Sequence, residues 1–280
     1  MNREQRVQTA QETLQILTNG HYLTPNKKCV SIAEIVKRAC DETQLYSREA
    51  MPSSPPAAYK SDAMLEVTTE STFDALLRLS KESSKIGCLN FASAKNPGGG
   101  FLSGAQAQEE ALTRASGLYP CLLAQPSYYQ SNRTNASCLY LDLLIHSPQV
   151  PFFRNDEGEL IESPFLVNVV TAPAPNAGAI HKNEPLRAVE IQPCLQRRAE
   201  LVLRALAISK VESLVLGAWG CGVFRNDPYK VAACFASLIG ANGEYARHFK
   251  KIVFAIYDPS GKSENLAAFQ EVIGCQNSYN

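Results

Sequence analysis

The stretch from Asn90 to Gly117 decides the fold, and it reads NFASAKNPGGGFLSGAQAQEEALTRASG. It begins within an apolar run, Ile86 to Phe91, that predicts a buried strand. Pro97 and the glycines Gly98 to Gly100 then predict a tight loop. From Gln106 the spacing of alanine and leucine predicts a helix that ends at Gly117. The predicted order is therefore strand, glycine loop and helix.

A glycine loop that opens a helix brings backbone N–H groups close to a ligand, and the helix dipole favours an anion there. Gln108, Glu109 and Glu110 occupy the first turns of this helix. One acidic residue near a helix N-terminus is common and stabilising. Two adjacent carboxylates beside an anion site are costly unless they act on a bound molecule. The pattern therefore favours a functional site over a purely structural one.

The spacing of three glycines, seven residues and Gln-Glu-Glu resembles the signature of poly(ADP-ribose) glycohydrolases. The longer segment NFASAKNPGGG is similar to the short microbial-type members of that family. A dinucleotide-binding GxGxxG motif is a poor fit, because its third glycine would fall on Ser103. The resemblance extends from about residue 60 to the end of the chain. It implies a macrodomain, which is a three-layer α/β/α sandwich.

Other segments predict the same class of fold. Apolar runs predict strands at 63–69, 140–147, 165–171, 213–216 and 251–257, and helical spacing predicts helices at 4–18, 31–41, 71–80, 190–209, 228–239 and 264–272. This alternation indicates an α/β protein with a parallel or mixed sheet. We expect residues 61–280 to form a macrodomain-like catalytic domain and residues 1–60 to form a helical extension packed on it.

Local signals add detail to this prediction. Ser31 and Glu34 have the spacing of a capping box for the second helix. Three prolines predict a loop or linker at 46–61, and Asn155 to Gly158 predict a turn between two short extended pieces within 150–161. We expect residues 118–138 to be irregular and residues 172–178 to form a stiff loop.

Composition narrows the classes of function. The chain has 280 residues and a net charge of zero, from 27 basic and 27 acidic residues, so no basic field is present to hold long nucleic acid. No apolar run reaches the roughly 20 residues of a membrane helix, and no secretory signal is predicted. Nine scattered cysteines without a CxxC pair indicate reduced thiols in a cytoplasmic protein. The four histidines lack metal-ligand spacing, so neither a metal nor a cofactor is expected.

A second glycine loop follows the predicted strand at 213–216 and reads GAWGCGVF from Gly217 to Phe224. Two such loops on neighbouring strands could hold a diphosphate through backbone N–H groups, although Gly220 and Gly222 could equally form a simple turn. By the resemblance, Phe224 stacks on adenine, whereas a lone aromatic residue is more often part of a core. The loop from Thr171 to Asn176 could line the same cleft or form a rigid surface loop.

The resemblance also implies a mechanism. Glu110 would protonate the leaving oxygen of the ribose–ribose bond and then activate water, which requires a raised pKa, and Glu109 would bind ribose hydroxyls. Asn96 would bind the ribose next to the cleaved bond. The implied substrate-binding residues are Asn96, Gly98, Gly99, Gly100, Gln108, Gly220, Cys221, Gly222, Val223 and Phe224.

Three functions stay open at this point. The first is hydrolysis of poly(ADP-ribose) on modified proteins, mainly from chain ends, to release ADP-ribose. The second is a macrodomain that binds ADP-ribose without cleaving it, for which both glycine loops suffice but the Gln-Glu-Glu triplet has no use. The third is removal of single ADP-ribose units from protein or nucleic acid. No membrane partner and no long nucleic acid partner are expected.

Overall fold

The computed structural model describes residues 1–258, 261 and 263–274. The helices are α1 (Arg3–Asn19), α2 (Ala33–Asp41), α3 (Thr72–Ser80), α4 (Gln108–Ala115), α5 (Leu118–Leu123), α6 (Pro126–Thr134), α7 (Ala177–Asn183), α8 (Ile191–Ile208), α9 (Pro228–Ile239) and α10 (Glu264–Gly274). The strands are β1 (His21–Leu23), β2 (Cys29–Ser31), β3 (Gln44–Ser47), β4 (Met64–Thr68), β5 (Ile86–Phe91), β6 (Leu143–Arg154), β7 (Leu160–Ala172), β8 (Ser213–Leu216) and β9 (Lys251–Ala255). Short 3₁₀ turns span Phe101–Ser103 and Pro185–Glu190.

Seven strands form one mixed sheet in the order β3-β6-β7-β5-β8-β9-β4. The five strands from β7 to β4 run parallel, and β6 runs antiparallel to both of its neighbours. β5 lies at the centre, with β7 on one side and β8 on the other. Ligands of open α/β sheets bind beyond the carboxyl ends of such strands, so the loops after β5, β7 and β8 are placed to form a site.

Helices cover both faces of the sheet. On one face, an apolar cluster packs α8, α9 and α10 against side chains such as Leu89 of β5. On the other face, a second cluster packs the four helices α3, α4, α5 and α6 against Ile86 and Cys88 of the same strand. All six residues of β5 are buried except Phe91, which is half-buried, as expected for a strand covered on both faces. The architecture confirms the predicted three-layer α/β/α sandwich with a mixed sheet.

The first 60 residues contribute to the sheet as well as to its surroundings. β3 pairs antiparallel with β6, so residues 46 and 47 lie in the sheet and the predicted loop at 46–61 is wrong at its start. β1 and β2 form a separate hairpin within a segment where no strand was predicted. The sequence pattern does not reveal these strands, because each has only three or four residues, too few to show an alternation of apolar and polar side chains. No helix of the described part of the chain is long and apolar enough to span a bilayer.

One predicted helix cap was wrong. Ser31 does not cap α2, because it lies in β2; the cap residue is Ile32, which makes no side-chain capping bond. α4 does end just before Gly117, at Ala115, but Gly117 has a φ of −79° and serves as the N-cap of α5. An added Cβ at Gly117 would lie 3.2 Å from Pro151, so this glycine permits close packing.

Residues 118–138 are largely helical, in α5 and α6, and not irregular. Both helices are short, and α5 contains Pro120, which hides helical spacing. The pieces around the turn at 155–158 are parts of the long hairpin β6–β7, and α7 begins inside the predicted loop at 172–178. The eight described cysteines are free thiols, and Cys275 lies outside the described residues.

Arg198 of α8 connects the helix to two loops at the carboxyl edge of the sheet. Its side chain is 1% exposed and donates to Asp142 Oδ1 at 2.9 Å, to the carbonyl of Pro173 at 2.7 Å and to that of Tyr140 at 3.1 Å. Its neighbour Arg197 donates to the other oxygen of Asp142 at 3.0 Å but is 39% exposed. The two arginines therefore share a partner and differ in burial.

We expect Arg198→Leu to lower the free energy of unfolding by about 3–5 kcal/mol, because it leaves buried carbonyls and a carboxylate without their donor. The control Arg197→Leu should cost less than about 1 kcal/mol, because water screens an exposed ion pair. Urea unfolding of both variants measures the difference. Equal losses would contradict this assignment of a structural role to Arg198.

Candidate active site

A cleft of about 370 Å³ opens at the carboxyl ends of the central strands. Four segments form its walls: the end of β5 with Ala92 and Ser93, the start of α4, the loop after β7 and the loop after β8. The lining residues are Phe91, Ala92, Ser93, Ala107, Gln108, Glu109, Glu110, Ala174, Ala218, Trp219, Gly220, Gly222, Val223 and Phe224. The predicted Gln-Glu-Glu triplet and the second glycine loop therefore face one another across a single cavity.

Gln108 attaches the first turn of α4 to the backbone of β5. Its Oε1 accepts from the N–H of Phe91 at 2.9 Å, and its Nε2 donates to the carbonyl of Leu89 at 2.8 Å. The pairing of β8 with β5 ends at Cys88, so these two backbone groups have no strand partner on that side. The amide of Gln108 continues the ladder where β8 departs, and it fixes the position of the two glutamates that follow.

Glu109 is the inner carboxyl of the pair and is 3% exposed. Its Oε2 accepts from the N–H of Ser93 at 2.7 Å, and Asn90 Nδ2 lies 3.4 Å from its Oε1. Burial raises the pKa of Glu109 to about 8; the bond from Ser93 opposes this shift, and the charge of Glu110 adds to it. At neutral pH the inner carboxyl is therefore mainly protonated.

Glu110 is the outer carboxyl, is 9% exposed, and accepts from the N–H of Gly100 at 2.9 Å. The loop approaches both glutamates at Gly99, where an added Cβ would collide with Glu110 Oε1 and lie 3.1 Å from Glu109 Oε2. Gly98 and Gly99 have φ values of +67° and +59°, which glycine adopts without strain. The glycines are needed here because the backbone turns tightly against two carboxylates.

The predicted residues of the first loop lie in two different environments. Asn96 is exposed, is not among the residues that line the cleft, and uses its carbonyl to accept from Gly99 N–H at 3.0 Å. Gly98 is buried under Thr113 and Phe101. The N–H of Gly100 is directed at Glu110 and not at open space. Binding of ribose by Asn96 and of phosphate by Gly98 to Gly100 stays a prediction.

The second loop leaves more room for a ligand. Gly220 has a φ of +73° and packs against Ala174, whereas an added Cβ at Gly222 would have no atom within 4 Å. Gly222 is exposed and Val223 is 84% exposed. Cys221 is half-buried, and burial raises the pKa of its thiol to about 12, so the thiol is not ionised at neutral pH. The open backbone at Gly222 is the part of this loop that a phosphate can reach.

Phe224 is half-buried and lines the cleft, with its ring 6.0 Å from that of Tyr140. Trp219, in contrast, is 1% exposed and donates its indole N–H to the carbonyl of Ala172 at 3.1 Å. The single tryptophan therefore joins the second loop to the end of β7 and offers its ring to the core. Of the two aromatic residues in this loop, Phe224 is the one placed to contact a ligand.

Two asparagines that support the site were not predicted from the sequence. Asn90 lies at the end of β5, is fully buried, and donates to Thr171 Oγ1 of β7 at 3.1 Å as well as approaching Glu109. Asn226 is 3% exposed and donates to the carbonyls of Pro175 at 2.8 Å and Gly220 at 3.1 Å. A polar residue within the apolar run of β5 was the available signal for Asn90. Asn226 lies in a polar loop and gave none.

Titratable residues other than these glutamates do not form a metal site. Within residues 1–258, 261 and 263–274, no three histidine, cysteine, aspartate or glutamate side chains are placed to hold an ion together. His146 lies outside the cleft, and burial lowers the pKa of its imidazole to about 4. The chemistry that the cleft itself offers is therefore that of two adjacent carboxyl groups.

The raised pKa of Glu109 predicts a pH dependence of stability. Between the ordinary glutamate pKa of about 4.3 and the folded value of about 8, the folded protein binds more protons than the unfolded chain. This contribution to stability is complete below about pH 4.3 and is lost as the pH rises through 8, with a slope of at most about 1.4 kcal/mol per pH unit.

Glu109→Gln mimics the protonated carboxyl and should remove this dependence. We expect the variant to gain stability relative to the parent protein as the pH rises from 5 to 8, as measured by urea unfolding at each pH. The control is Glu190→Gln, at an exposed site outside the cleft. Its stability relative to the parent protein should not rise in this way between pH 5 and 8. A parent-to-variant difference that stays constant with pH would contradict the protonated state of Glu109.

Comparison with known proteins places these features in a family. The profile described as microbial-type PARG, catalytic domain, matches residues 10–155, where PARG denotes poly(ADP-ribose) glycohydrolase. No functionally curated protein matches the chain. Among solved structures, the poly(ADP-ribose) glycohydrolase of Thermomonospora curvata is 44% identical, with a TM-score of 0.91 over 96% of this chain and 100% of its own.

Two ligand complexes also match. The Thermomonospora curvata enzyme bound to the inhibitor ADP-HPD is 42% identical, with a TM-score of 0.88 over 96% of this chain and 99% of its own. The Deinococcus radiodurans enzyme in complex with ADP-ribose is 44% identical, with a TM-score of 0.78 over 86% of this chain and 97% of its own. The chain therefore belongs to the microbial-type poly(ADP-ribose) glycohydrolase family.

Proposed function

We propose that this protein is a glycoside hydrolase that cleaves the ribose–ribose bond of poly(ADP-ribose) and releases ADP-ribose. The observation that carries this proposal is the pair Glu109 and Glu110, buried side by side at the edge of an open cleft and held against Gly99. Hydrolysis of a glycosidic bond needs a carboxylic acid and a carboxylate base. Family membership supports the choice of substrate, because relatives were solved with ADP-ribose and with ADP-HPD.

The cleft suits an adenine nucleotide joined to a second ribose. Phe224 offers a ring face at one end, Gly222 offers exposed backbone between, and the two carboxyl groups lie at the α4 side. We propose that adenine packs on Phe224 and that the diphosphate binds the loop from Gly220 to Val223. The terminal ribose then lies beside the glutamates. Asn96 and the N–H groups of the first loop remain candidate contacts on the far side of the ribose.

In the proposed reaction, Glu110 donates a proton to the leaving oxygen and, as a carboxylate, then removes a proton from the attacking water. The bound ligand displaces water from the cleft and places a diphosphate near the two carboxyl groups. Glu109 binds ribose hydroxyl groups. Because burial keeps its pKa near 8, the cleft carries less negative charge when it receives the diphosphate.

Neutralising Glu110 tests the proposal. Glu110→Gln preserves the size of the side chain and an acceptor for the Gly100 N–H, so the fold should persist. We expect release of ADP-ribose from poly(ADP-ribose) to fall by about 10²–10⁴-fold, because acid–base catalysis is lost. Binding of ADP-ribose, measured by calorimetry, should change by less than about threefold.

The substitution Glu82→Gln, at an exposed site away from the cleft, is the control and should leave the rate unchanged. A Glu110→Gln protein that keeps more than about a tenth of the parent rate would remove Glu110 from the mechanism. A parent protein that binds ADP-ribose but releases none from the polymer would instead be a reader. Release from chain ends and a cytoplasmic location stay predictions.

A further inference from the structure

A second cavity of about 250 Å³ lies next to the cleft, between α7, the start of α8 and the start of α9. Its apolar wall is formed by alanine, isoleucine and leucine side chains, including Ile191 and Leu195. The remaining lining residues are Ala177, His181, Ala188, Gln192, Arg225, Asn226, Asp227 and Lys230. At about 250 Å³ the cavity is smaller than the roughly 300 Å³ at which pockets for small ligands begin, so it suits a heterocyclic base whose sugar and phosphates lie at its open edge.

Basic side chains surround this cavity. His181, Arg225 and Lys230 are all exposed at its edge, and none of them forms a salt bridge or side-chain hydrogen bond within the described part of the chain. The one carboxylate at the edge, Asp227, already accepts from the N–H groups of Tyr229 and Lys230 as the N-cap of α9. A protein with no net charge thus presents free cations at this position. Free cations beside an apolar wall favour a ligand with a flat ring and a phosphate.

The backbone of residues 224 and 225 separates the two cavities. Phe224 lines the first and Arg225 lines the second, so consecutive side chains face opposite sides of the wall. Arg225 reaches this position through a φ of +56°, a conformation that costs a non-glycine residue free energy. The two cavities therefore lie on either side of one short segment of backbone.

We propose that this second cavity binds the adenine nucleotide of the adjacent ADP-ribose unit when the cleft holds an internal unit of the polymer. This inference rests on the proposed function, since adenine on Phe224 places the 2′-oxygen that carries the next unit near the wall. The base of that unit packs against Ile191 and Leu195, and its diphosphate faces Arg225 and Lys230. Internal positions of the chain are then bound as well as the end.

The experiment removes the charges without disturbing the helix. Lys230 is the third residue of α9, where a glutamate with Asp227 as N-cap has the spacing of a capping box and favours the helix. The test protein is therefore Arg225→Gln with Lys230→Glu, made in a Glu110→Gln background so that the polymer stays intact. The control carries Lys60→Glu, which reproduces the charge reversal made at Lys230, at an exposed site near Arg247 and away from both cavities.

Affinities are measured for ADP-ribose and for purified oligomers of two or more units, at fixed salt. We expect the control protein to bind oligomers more tightly than it binds ADP-ribose. The double substitution should reduce this ratio of affinities by about tenfold or more, since two phosphate contacts are lost. In the parent background the double substitution should also lower the share of short oligomers among early products relative to free ADP-ribose.

The outcomes separate the two proposals. An unchanged oligomer advantage in the double variant overturns the second cavity, even if the parent protein hydrolyses the polymer normally. Parent protein that hydrolyses nothing overturns the proposed function, while the binding ratio still decides the cavity. The free nucleotide AMP, added with saturating ADP-ribose, is the third arm. If AMP binds in a way that depends on Arg225 and Lys230 while oligomers gain no advantage, the site is one for free nucleotides, and the proposal is overturned.

Discussion

The site depends on how the open edge of β5 obtains hydrogen bonds where β8 turns away. Unpaired backbone groups inside a protein are costly, and Phe91 N–H and Leu89 C=O face that edge. The side-chain amide of Gln108 supplies both a donor and an acceptor in the positions a strand would offer. A glutamate or a leucine could not do this. The amide therefore anchors α4 by its first residue, and the divergence of β8 creates the cleft that α4 then borders.

Successive residues of an α-helix are rotated by about 100° around its axis. Once Gln108 is fixed, Glu109 and Glu110 therefore point in different directions. Glu109 is turned inward toward Ser93 and Asn90, and Glu110 is turned toward the N–H of Gly100. The triple glycine loop serves this arrangement directly, because a side chain at Gly99 would occupy the space of the carboxylates. The glycines of the first loop thus make room for the paired glutamates, while the second loop, at Gly222, leaves open space beside its backbone.

The sequence predicts the strands and helices nearest the site well because their signals are local. β5 and β8 were predicted at their observed bounds from continuous apolar runs, and α9 from its amphipathic spacing. What could not be predicted depends on contacts between distant segments. The raised pKa of Glu109, for example, comes from its burial against β5, which the sequence alone does not show. Short elements such as β1, β2 and α5 also give no period to detect.

Neighbouring strand ends are joined by side chains and not by the loops alone. Asn90 bonds to Thr171 between β5 and β7, Trp219 bonds to the carbonyl of Ala172, and Asn226 connects Gly220 to Pro175. Arg198 then holds Pro173 from the opposite helical layer. A loop with exposed backbone, such as the one around Gly222, cannot also bury a large apolar surface of its own. These donors, each directed at a carbonyl or hydroxyl at the carboxyl edge, supply the rigidity that such loops lack, and this explains why buried polar residues concentrate around an otherwise apolar cleft.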